Sequence, residues 1–514
     1  MSQVEDSIAA QRAVCERAPR AAGPWVVLAR QLLAAGRAAE AVGAAERALA
    51  VEPAHLAARS LRRSAVEALE ATDPALAVLE LKAALNPDDP QAQLELGHAY
   101  ADLDRPADAE RCLKQALAVA PDLAEARARL GAVYLSVGIE DGAEHHCRRA
   151  LEIEPGQAVA SQTLAVVLER RGDSLAARAV LDAAYARQSL FLEPAADSPF
   201  TVLVLATQSS GNIPYRHIMP PARYTRLVWY MEHAREEQIQ ALPAYDVVLN
   251  AIGDPDLAGP SRAPVERFLA RCTRPVLNLP DKVARTHRHL APDLLGDLED
   301  VVVPAAVRLD GAKGRPEGLA GAVSRAALPA PWLVRPVGSH GGLGLVKVDG
   351  PEALADLDAT LARKDVYVTG YHDYRSADGR FRKGRVIFVD RRPFPYHWAV
   401  AQDWMVHYDT AGMGGDAGRQ AEERRFLDDP EGFLGARAWA AIARLGERLD
   451  LDYCGLDFSI LPDGRVLVFE ANATMLTHPE PADGELAYKN PAVQRIIDAF
   501  QARLAALATT FSTI

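Results

Sequence analysis

Small apolar residues recur through the first 189 positions of the chain with a fixed rhythm. Pro53, Pro87, Pro121 and Pro155 stand 34 residues apart, and the apolar positions keep step with them. Trp25, Leu28, Ala29, Leu32, Gly36, Ala41, Ala45, Ala48 and Pro53 set the pattern out once. Leu96, Gly97, Tyr100, Ala109, Ala116 and Pro121 repeat it, as do Leu130, Gly131, Tyr134, Gly138, Ala143, Ala150 and Pro155. A fifth unit, with Leu164, Ala165, Leu168, Gly172, Ala177 and Ala184, lacks the closing Pro, and the stretch 56–87 is degenerate. Each period predicts two helices that meet along small residues, with Gly at the tight turn and Pro before the next unit. One helix pair cannot bury its apolar face alone, so the pattern predicts a stacked all-α solenoid over 1–189, with a capping helix before Arg20.

The pattern changes after residue 188. Residues 188–199 (QSLFLEPAADSP) read as a linker. Continuous apolar runs at 200–206, 245–250 and 274–278 predict buried parallel strands, with helices about 222–241 and 261–272 between them. This is a small doubly wound α/β unit over 199–277. Beyond it, 278–514 reads as α+β. Strands are predicted at 332–334 and 344–348 around a Gly-rich loop, at 365–371 and 383–389, and at 454–461 and 465–470 around the turn Pro462-Asp463-Gly464. Helices at 433–449 (Leu434, Ile442, Leu445, Leu449) and 491–507 (Val493, Ile497, Phe500, Leu504) each show one apolar face. The chain is thus multidomain.

Composition removes some classes of function. A net charge of −12 argues against nucleic acid as a partner. No apolar run is long enough to cross a membrane, and the N-terminal residues lack a signal-peptide core, so a cytoplasmic location is expected. Five scattered Cys residues form neither a metal spacing nor a disulfide framework.

The candidate chemistry lies where polar residues interrupt apolar strands. Asp457 sits inside the strand 454–461, Glu470 ends the run Val466-Leu467-Val468-Phe469, and Asn472 follows two residues later. Buried carboxylates need a cation, and hard oxygen donors of this kind suit Mg²⁺ brought in on nucleotide phosphates. Upstream, Trp332-Leu-Val-Arg335 leads into Pro-Val-Gly-Ser339-His340-Gly341-Gly342-Leu-Gly344. Glycines let backbone N–H groups turn toward phosphate oxygens, and Arg335 adds a rigid cation. Strand–loop–strand is not a P-loop, whose Gly-Lys-Ser/Thr opens a helix. In the α/β unit, ligands are expected at the carboxyl ends of the strands, in loops 207–213 and 250–255; this makes Gln208, Ser209 and Asn212 substrate candidates, with ordinary turn chemistry as their alternative role.

The 34-residue pattern is that of the tetratricopeptide repeat. The rest of the chain, about 199–510, resembles the ATP-grasp fold of RimK-like carboxylate–amine ligases, with the Gly-rich loop, hinge, Arg strand and Asp–Glu–Asn triplet in that family's order. The resemblance implies that 199–277 is the α/β unit preceding the ATP-grasp domain and 278–514 the domain itself. It assigns Asp457, Glu470 and Asn472 to two Mg²⁺ ions between the phosphates of ATP. Lys282, in Asn278-Leu-Pro-Asp-Lys282, and Arg335 are assigned to phosphate, although the family usually has Lys where this chain has Arg335. Ser339, His340, Gly341, Gly342 and Gly344 belong to the loop over the phosphates. The hinge 365–371, with Thr369 and Tyr371, is assigned to adenine, and Arg385 to the transferring phosphoryl or acyl phosphate. Tyr396, His397 and His407 lie near the acceptor substrate, and 411–424 reads as a loop over the site. The implied activity is ADP-forming amide synthesis through an acyl phosphate, on a peptide, protein or amino-acid-derived substrate. A kinase-like phosphotransferase and a non-catalytic nucleotide-binding scaffold are the alternatives. The repeat array either docks the peptide or protein substrate or makes a homodimer.

Overall fold

The computed structural model describes residues 3–70, 74–103, 105–220, 223–311, 317–339, 341–361 and 363–510. It divides into two compact units, Met1–Gln188 and Ser189–Ile514.

The first unit is an all-α repeat array of eleven helices among the described residues. Gln3–Arg17 comes first, and five antiparallel pairs follow: Ala22–Ala34 with Ala38–Val51, Leu56–Glu70 with Pro74–Leu85, Pro90–Asp102 with Pro106–Val119, Ala124–Ser136 with Glu140–Ile153, and Ala158–Arg170 with Ser174–Arg187. The periodic small residues are the packing surface: Ala41, Ala45, Ala48, Ala109, Ala116, Ala143 and Ala150 are fully buried. Glycine has two separate uses here. Gly138 and Gly172 close inter-helix turns at φ of 78° and 82°, a region that favours Gly. Gly131 instead lets two helices touch, because a Cβ there would stand 2.5 Å from Cys147 Sγ.

The second unit holds three sheets. The first comprises β1 (Leu190–Glu193), β2 (Thr201–Ala206), β3 (Thr225–Tyr230), β4 (Val247–Asn250) and β5 (Val276–Leu277), in the order β1-β3-β2-β4-β5. All neighbours are parallel except β1, which runs antiparallel to β3. Two readings of the sequence are corrected here. The expected linker contains β1, and the expected helix at 222–241 contains β3. Arg226 gives β3 the polar interruption of a helical pattern. Its guanidinium is instead fully buried, donating to Met219 O at 2.6 Å and paired at 2.6 Å with Glu193 of β1.

The strands β6 (Val301–Val302), β7 (Ala306–Leu309), β8 (Trp332–Pro336), β9 (Val346–Val348) and β10 (Val366–Gly370) follow; β7-β10-β8-β9 form the second, antiparallel sheet. The third sheet takes β11 (Phe381–Val389), β12 (Arg392–Ala401), β13 (Tyr453–Ile460) and β14 (Val466–Asn472), ordered β12-β11-β13-β14-β6. Helices cover one face of each. Val334, Val366 and Val368 pack with Leu319, Val323 and Leu354 on one sheet; Val386, Phe388, Phe458 and Val468 pack with Phe426, Ile442 and Leu445 on the other. Alternation then sends Leu333, Arg335, Lys383 and Arg385 to the opposite faces. The expected loop at 411–424 is largely helical: Ala417–Asp428 starts at Asp416, whose Oδ1 accepts from the N–H groups of Gly418 and Arg419 at 3.0 Å. All five Cys are free. Among the described residues no helix is long and apolar enough to cross a membrane.

Candidate active site

The uncovered faces of the second and third sheets line a cavity of about 1010 Å³. Two β-bulges shape its floor. Between Arg385 and Val386 the β11–β12 register slips, so that Arg385 faces His397, Val386 faces Pro395, and Tyr396 is the extra residue. Between Asp457 and Phe458 the β13–β14 register slips likewise: Asp457 faces Glu470, Phe458 faces Val468, and Phe469 is extra. A bulge re-aims side chains that strict alternation would send to opposite faces. Tyr396 with His397, and Phe469 with Glu470, therefore all reach the cavity.

Asp457 and Glu470 stand directly across β13 and β14, where like charges repel. Cations on neighbouring elements compensate. Arg385 donates Nε and Nη2 to the two carboxylate oxygens of Asp457 at 2.6 and 3.0 Å, and Lys383 Nζ donates to Oδ2 at 3.1 Å. Burial works against the charge on Asp457, but Arg385 and Lys383 outweigh it and hold the carboxyl well below the usual range. Glu470 pairs with Arg288 and accepts from Asn472 Nδ2. Burial again opposes its charge, and Arg288 and Arg335 lower its pKa. Asn472 Oδ1 accepts from Thr474 N and Oγ1, each at 3.0 Å.

Arg335 has no carboxylate within ion-pairing distance among the described residues. Its guanidinium binds the Ser339 carbonyl and, at 3.3 Å, the Ser339 hydroxyl, and so holds the Gly-rich loop to β8. Burial and the nearby charge of Arg288 lower it to about 10, which leaves it cationic at neutral pH. The lining carries Arg288, Arg335, Lys383, Arg385 and Lys489 against Asp409, Asp457, Glu470 and Glu480, one cation in excess, with the first four cations gathered around Asp457 and Glu470. In a chain of net charge −12 this is a localised anion site. An apolar region made by Val303, Ala306, Leu333, Tyr371, Leu467 and Phe469 adjoins it.

The structure brings Arg335, Gly341, Gly342, Thr369, Tyr371, Arg385, Tyr396, His397, His407, Asp457, Glu470 and Asn472 to this cavity. Ser339 lines a small adjoining pocket with Arg288 and Glu470. Gly344 turns beside Pro336 outside the lining, and His340 lies outside the described residues. Gly370 N and Tyr371 N already donate to Ala305 O and Pro331 O at 3.0 and 2.8 Å, so neither is open to a purine. Gln208, Ser209 and Asn212 are not brought to the lining. Gln208 meets His233 at 3.0 Å, Ser209 meets Thr207 at 3.0 Å, and Asn212 binds both N and O of Thr207.

Lys282 is also kept away. Its ammonium pairs at 2.6 Å with Asp450, which Arg391 holds at the β11–β12 turn. Such a part-exposed pair contributes about 0–1 kcal/mol. Lys282→Ala is therefore expected to change stability by no more than about 1 kcal/mol in urea denaturation. The cation that sequence reading missed is Arg288, six residues on, in a Thr-His-Arg-His run with no periodic signal. Lys489, Glu480 and Tyr408 were likewise missed.

The family model of the tetratricopeptide repeat matches residues 90–123. No curated protein matches the chain. Among solved structures, an ATP-grasp RimK domain protein from Sphaerobacter thermophilus is 15% identical over 58% of this chain and 96% of its own, with a TM-score of 0.35. Carboxyaminoimidazole ribonucleotide synthase from Aspergillus clavatus, complexed with ATP, is 12% identical over 58% of this chain and 77% of its own, with a TM-score of 0.36. YrrB, a TPR protein with an unusual peptide-binding site, is 21% identical over 35% of this chain and 92% of its own, with a TM-score of 0.22. Residues 90–123 are thus a tetratricopeptide repeat, set within the helical repeat array of the first unit.

Proposed function

We propose that the second unit is an ADP-forming, ATP-dependent carboxylate–amine ligase, with 199–277 as its substrate domain and 278–514 as its ATP-grasp domain. The supporting observation is the cavity itself: an apolar region leading to four gathered cations, lined by glycines of the Gly-rich loop and floored by paired acids. The apolar region suits the adenine ring. Arg335, Arg288 and the N–H groups of the Gly-rich loop suit the phosphates, and Arg385 suits the group in transfer. The γ-phosphoryl group passes to a carboxylate oxygen and ADP leaves. The amine nitrogen then attacks the carbonyl carbon, the C–O bond to phosphate breaks, and amide and phosphate remain.

Asp457, Glu470 and Asn472 offer hard oxygen donors of the kind Mg²⁺ takes. Among the described residues no three His, Cys, Asp or Glu side chains form a metal cluster; Asp457 and Glu470 would hold the ion together with the amide oxygen of Asn472. Held there, Mg²⁺ would neutralise charge on the transferring phosphoryl group. The tetratricopeptide array is assigned to docking a peptide or protein that carries one reacting group.

The test uses the full chain with MgATP and the standard amino acids and their dipeptides, supplied singly and in pairs. ADP and phosphate released in equal amounts, with amide formed only when acid and amine are both present, is the expected result. A stable phosphorylated product without amine would replace the ligase by a phosphotransferase. ATP bound but not cleaved with every pair would leave a nucleotide-binding scaffold.

A further inference from the structure

Beyond Arg385 the cavity ends in side chains that the phosphate chemistry does not use. β12 supplies Tyr396 and His397, the short turn Tyr408–Thr410 supplies Tyr408, and Lys489 and Glu480 close the end. His397 is 4% exposed and stands opposite Arg385 in the strand register. Its ring lies flat on Tyr408, with centroids 4.5 Å apart and planes 14° from parallel. The Tyr408 hydroxyl donates to Glu423 Oε2 at 2.9 Å. The same oxygen accepts from Tyr488, and Glu423 Oε1 accepts from Trp398 N at 2.9 Å. On the other side Lys489, 2% exposed, donates to Glu480 at 2.6 Å and sits 4.1 Å from the centre of the Tyr408 ring. The imidazole is therefore fixed by a fully buried carboxylate acting through a tyrosine.

One atom in this arrangement is left without a partner. His397 Nε2 is buried and makes no hydrogen bond among the described residues. Buried polar atoms in folded proteins are almost always satisfied, so this one calls for an explanation. Of the fourteen such side-chain atoms among the described residues, it is the one that belongs to a residue lining the cavity. We propose that His397 is the proton acceptor of the amidation step, taking the proton that the amine loses as it attacks the acyl phosphate beside Arg385. This rests on the ligase reading. In that step the nitrogen lone pair forms the C–N bond, the carbon–oxygen bond to phosphate breaks, phosphate leaves with that electron pair, and one N–H proton moves to the imidazole. Solvent removes the proton when product departs.

The charges around the ring suit this sequence. Arg385 and Lys383 face it from β11, Asp457 from β13, Lys489 and Glu480 from the chain before the last helix, and Tyr396 and Tyr408 from its flanks. Burial first, then Arg385, Lys489 and Lys383, push the imidazole well below its usual pKa, so the resting ring is neutral. A phosphorylated substrate brings negative charge onto Arg385 and Lys383. That cancels part of the repulsion and makes the ring a better base only once the acyl phosphate is in place.

The test compares two nucleophiles on one enzyme. Both lose one N–H proton on attack, but hydroxylamine is an unusually strong nucleophile for its basicity and reacts with acyl phosphates without a base. Glycinamide, an ordinary amine, attacks in its neutral form and gains from a base that takes the proton. The full chain with MgATP and each standard amino acid as the acid is assayed for hydroxamate with the first and for amide with the second. His397→Gln and His397→Asn are expected to lower amide formation by about 10²–10⁴-fold while hydroxamate formation falls by less than about tenfold. A parallel loss of both products, in either variant, would make His397 a structural residue and overturn the proposal. So would undiminished amide formation. Wild-type enzyme that makes neither hydroxamate nor ADP with any acid would overturn the ligase reading and this role together.

Discussion

Asp457→Asn is expected to lower the proposed ligation on the order of 10³-fold, as loss of a central charge-stabilising group does in other sites. The substitution keeps the shape of the side chain and removes its charge. Two effects follow from that single change. The oxygen set with Glu470 and Asn472 loses its most buried anion, and the Arg385 guanidinium loses the two-pronged grip at 2.6 and 3.0 Å that aims it. Arg385 and Lys383, 19% and 16% exposed, are then left facing a neutral amide. Breaking a buried pair in this way costs about 3–5 kcal/mol, and the partial exposure of both cations puts this case toward the lower end. The pH dependence separates the two losses. The carboxyl is held well below its unfolded pKa of about 3.9, so its contribution is complete at neutral pH and falls progressively as pH drops from about 4 toward the lower folded value. Urea denaturation from pH 7 down to pH 3 should show the variant less stable at pH 7, with the gap to wild type closing in acid. Activity measured where the variant is still folded then reports the chemistry alone. A fully active variant would remove Asp457 from the mechanism.

Legibility from sequence followed the strength of the local rule. The repeat array was plain because one period governs 34 residues at a time, and the buried alanines are the residues that carry it. The pairing of β13 with β14 was plain because a Pro-Asp-Gly turn joins two apolar runs. The floor of the cavity was not. Period-two alternation puts Tyr396 and His397 on opposite faces of a strand, and only the register slip beside Arg385 places both at the site. Pro395 stands beside that slip, but a strand Pro fits an edge strand, which β12 is, as well as a bulge. The strand β3 was hidden for a different reason: burial of Arg226 depends on Glu193, more than thirty residues earlier in the chain. Lys282 and Arg288 exchanged parts because a sequence shows that a cation is near a motif, and the turn after residue 284 decides which one faces inward. The Glu423–Tyr408–His397 stack joins a helix, a turn and a strand that have no shared pattern.

Asn278 is where the first and third sheets of the second unit are tied together, and Asn278→Ala is expected to destabilise that unit by about 4 kcal/mol or more. The residue is fully buried, with φ of 55°. Its carbonyl accepts from Asn250 Nδ2 at 2.8 Å, at the end of β4. Its own N–H donates to Asp452 Oδ2 at 3.0 Å, its Nδ2 donates to Tyr453 O at 2.8 Å, and its Oδ1 accepts from the N–H groups of Asp452 and Tyr453 at 2.8 and 2.9 Å. Ala removes the last three bonds and leaves two buried donors and one acceptor without partners, each at a cost of about 1–3 kcal/mol. It also adds the strain of a left-handed backbone without the local help of an Asn side chain, about 1–2 kcal/mol. Gly should recover that strain and none of the bonds, so Asn278→Gly is expected to lie between Ala and wild type, closer to Ala. The functional consequence follows from register, because Tyr453 is the first residue of the strand whose fifth residue is Asp457. Under the proposed function, loosening that end should raise the KM for ATP in the fraction that remains folded. Chemical denaturation of the three proteins measures the order wild type, Gly, Ala. An Asn278→Ala variant as stable as wild type would show that the tie between the sheets is held elsewhere, and that the position of Asp457 does not depend on it.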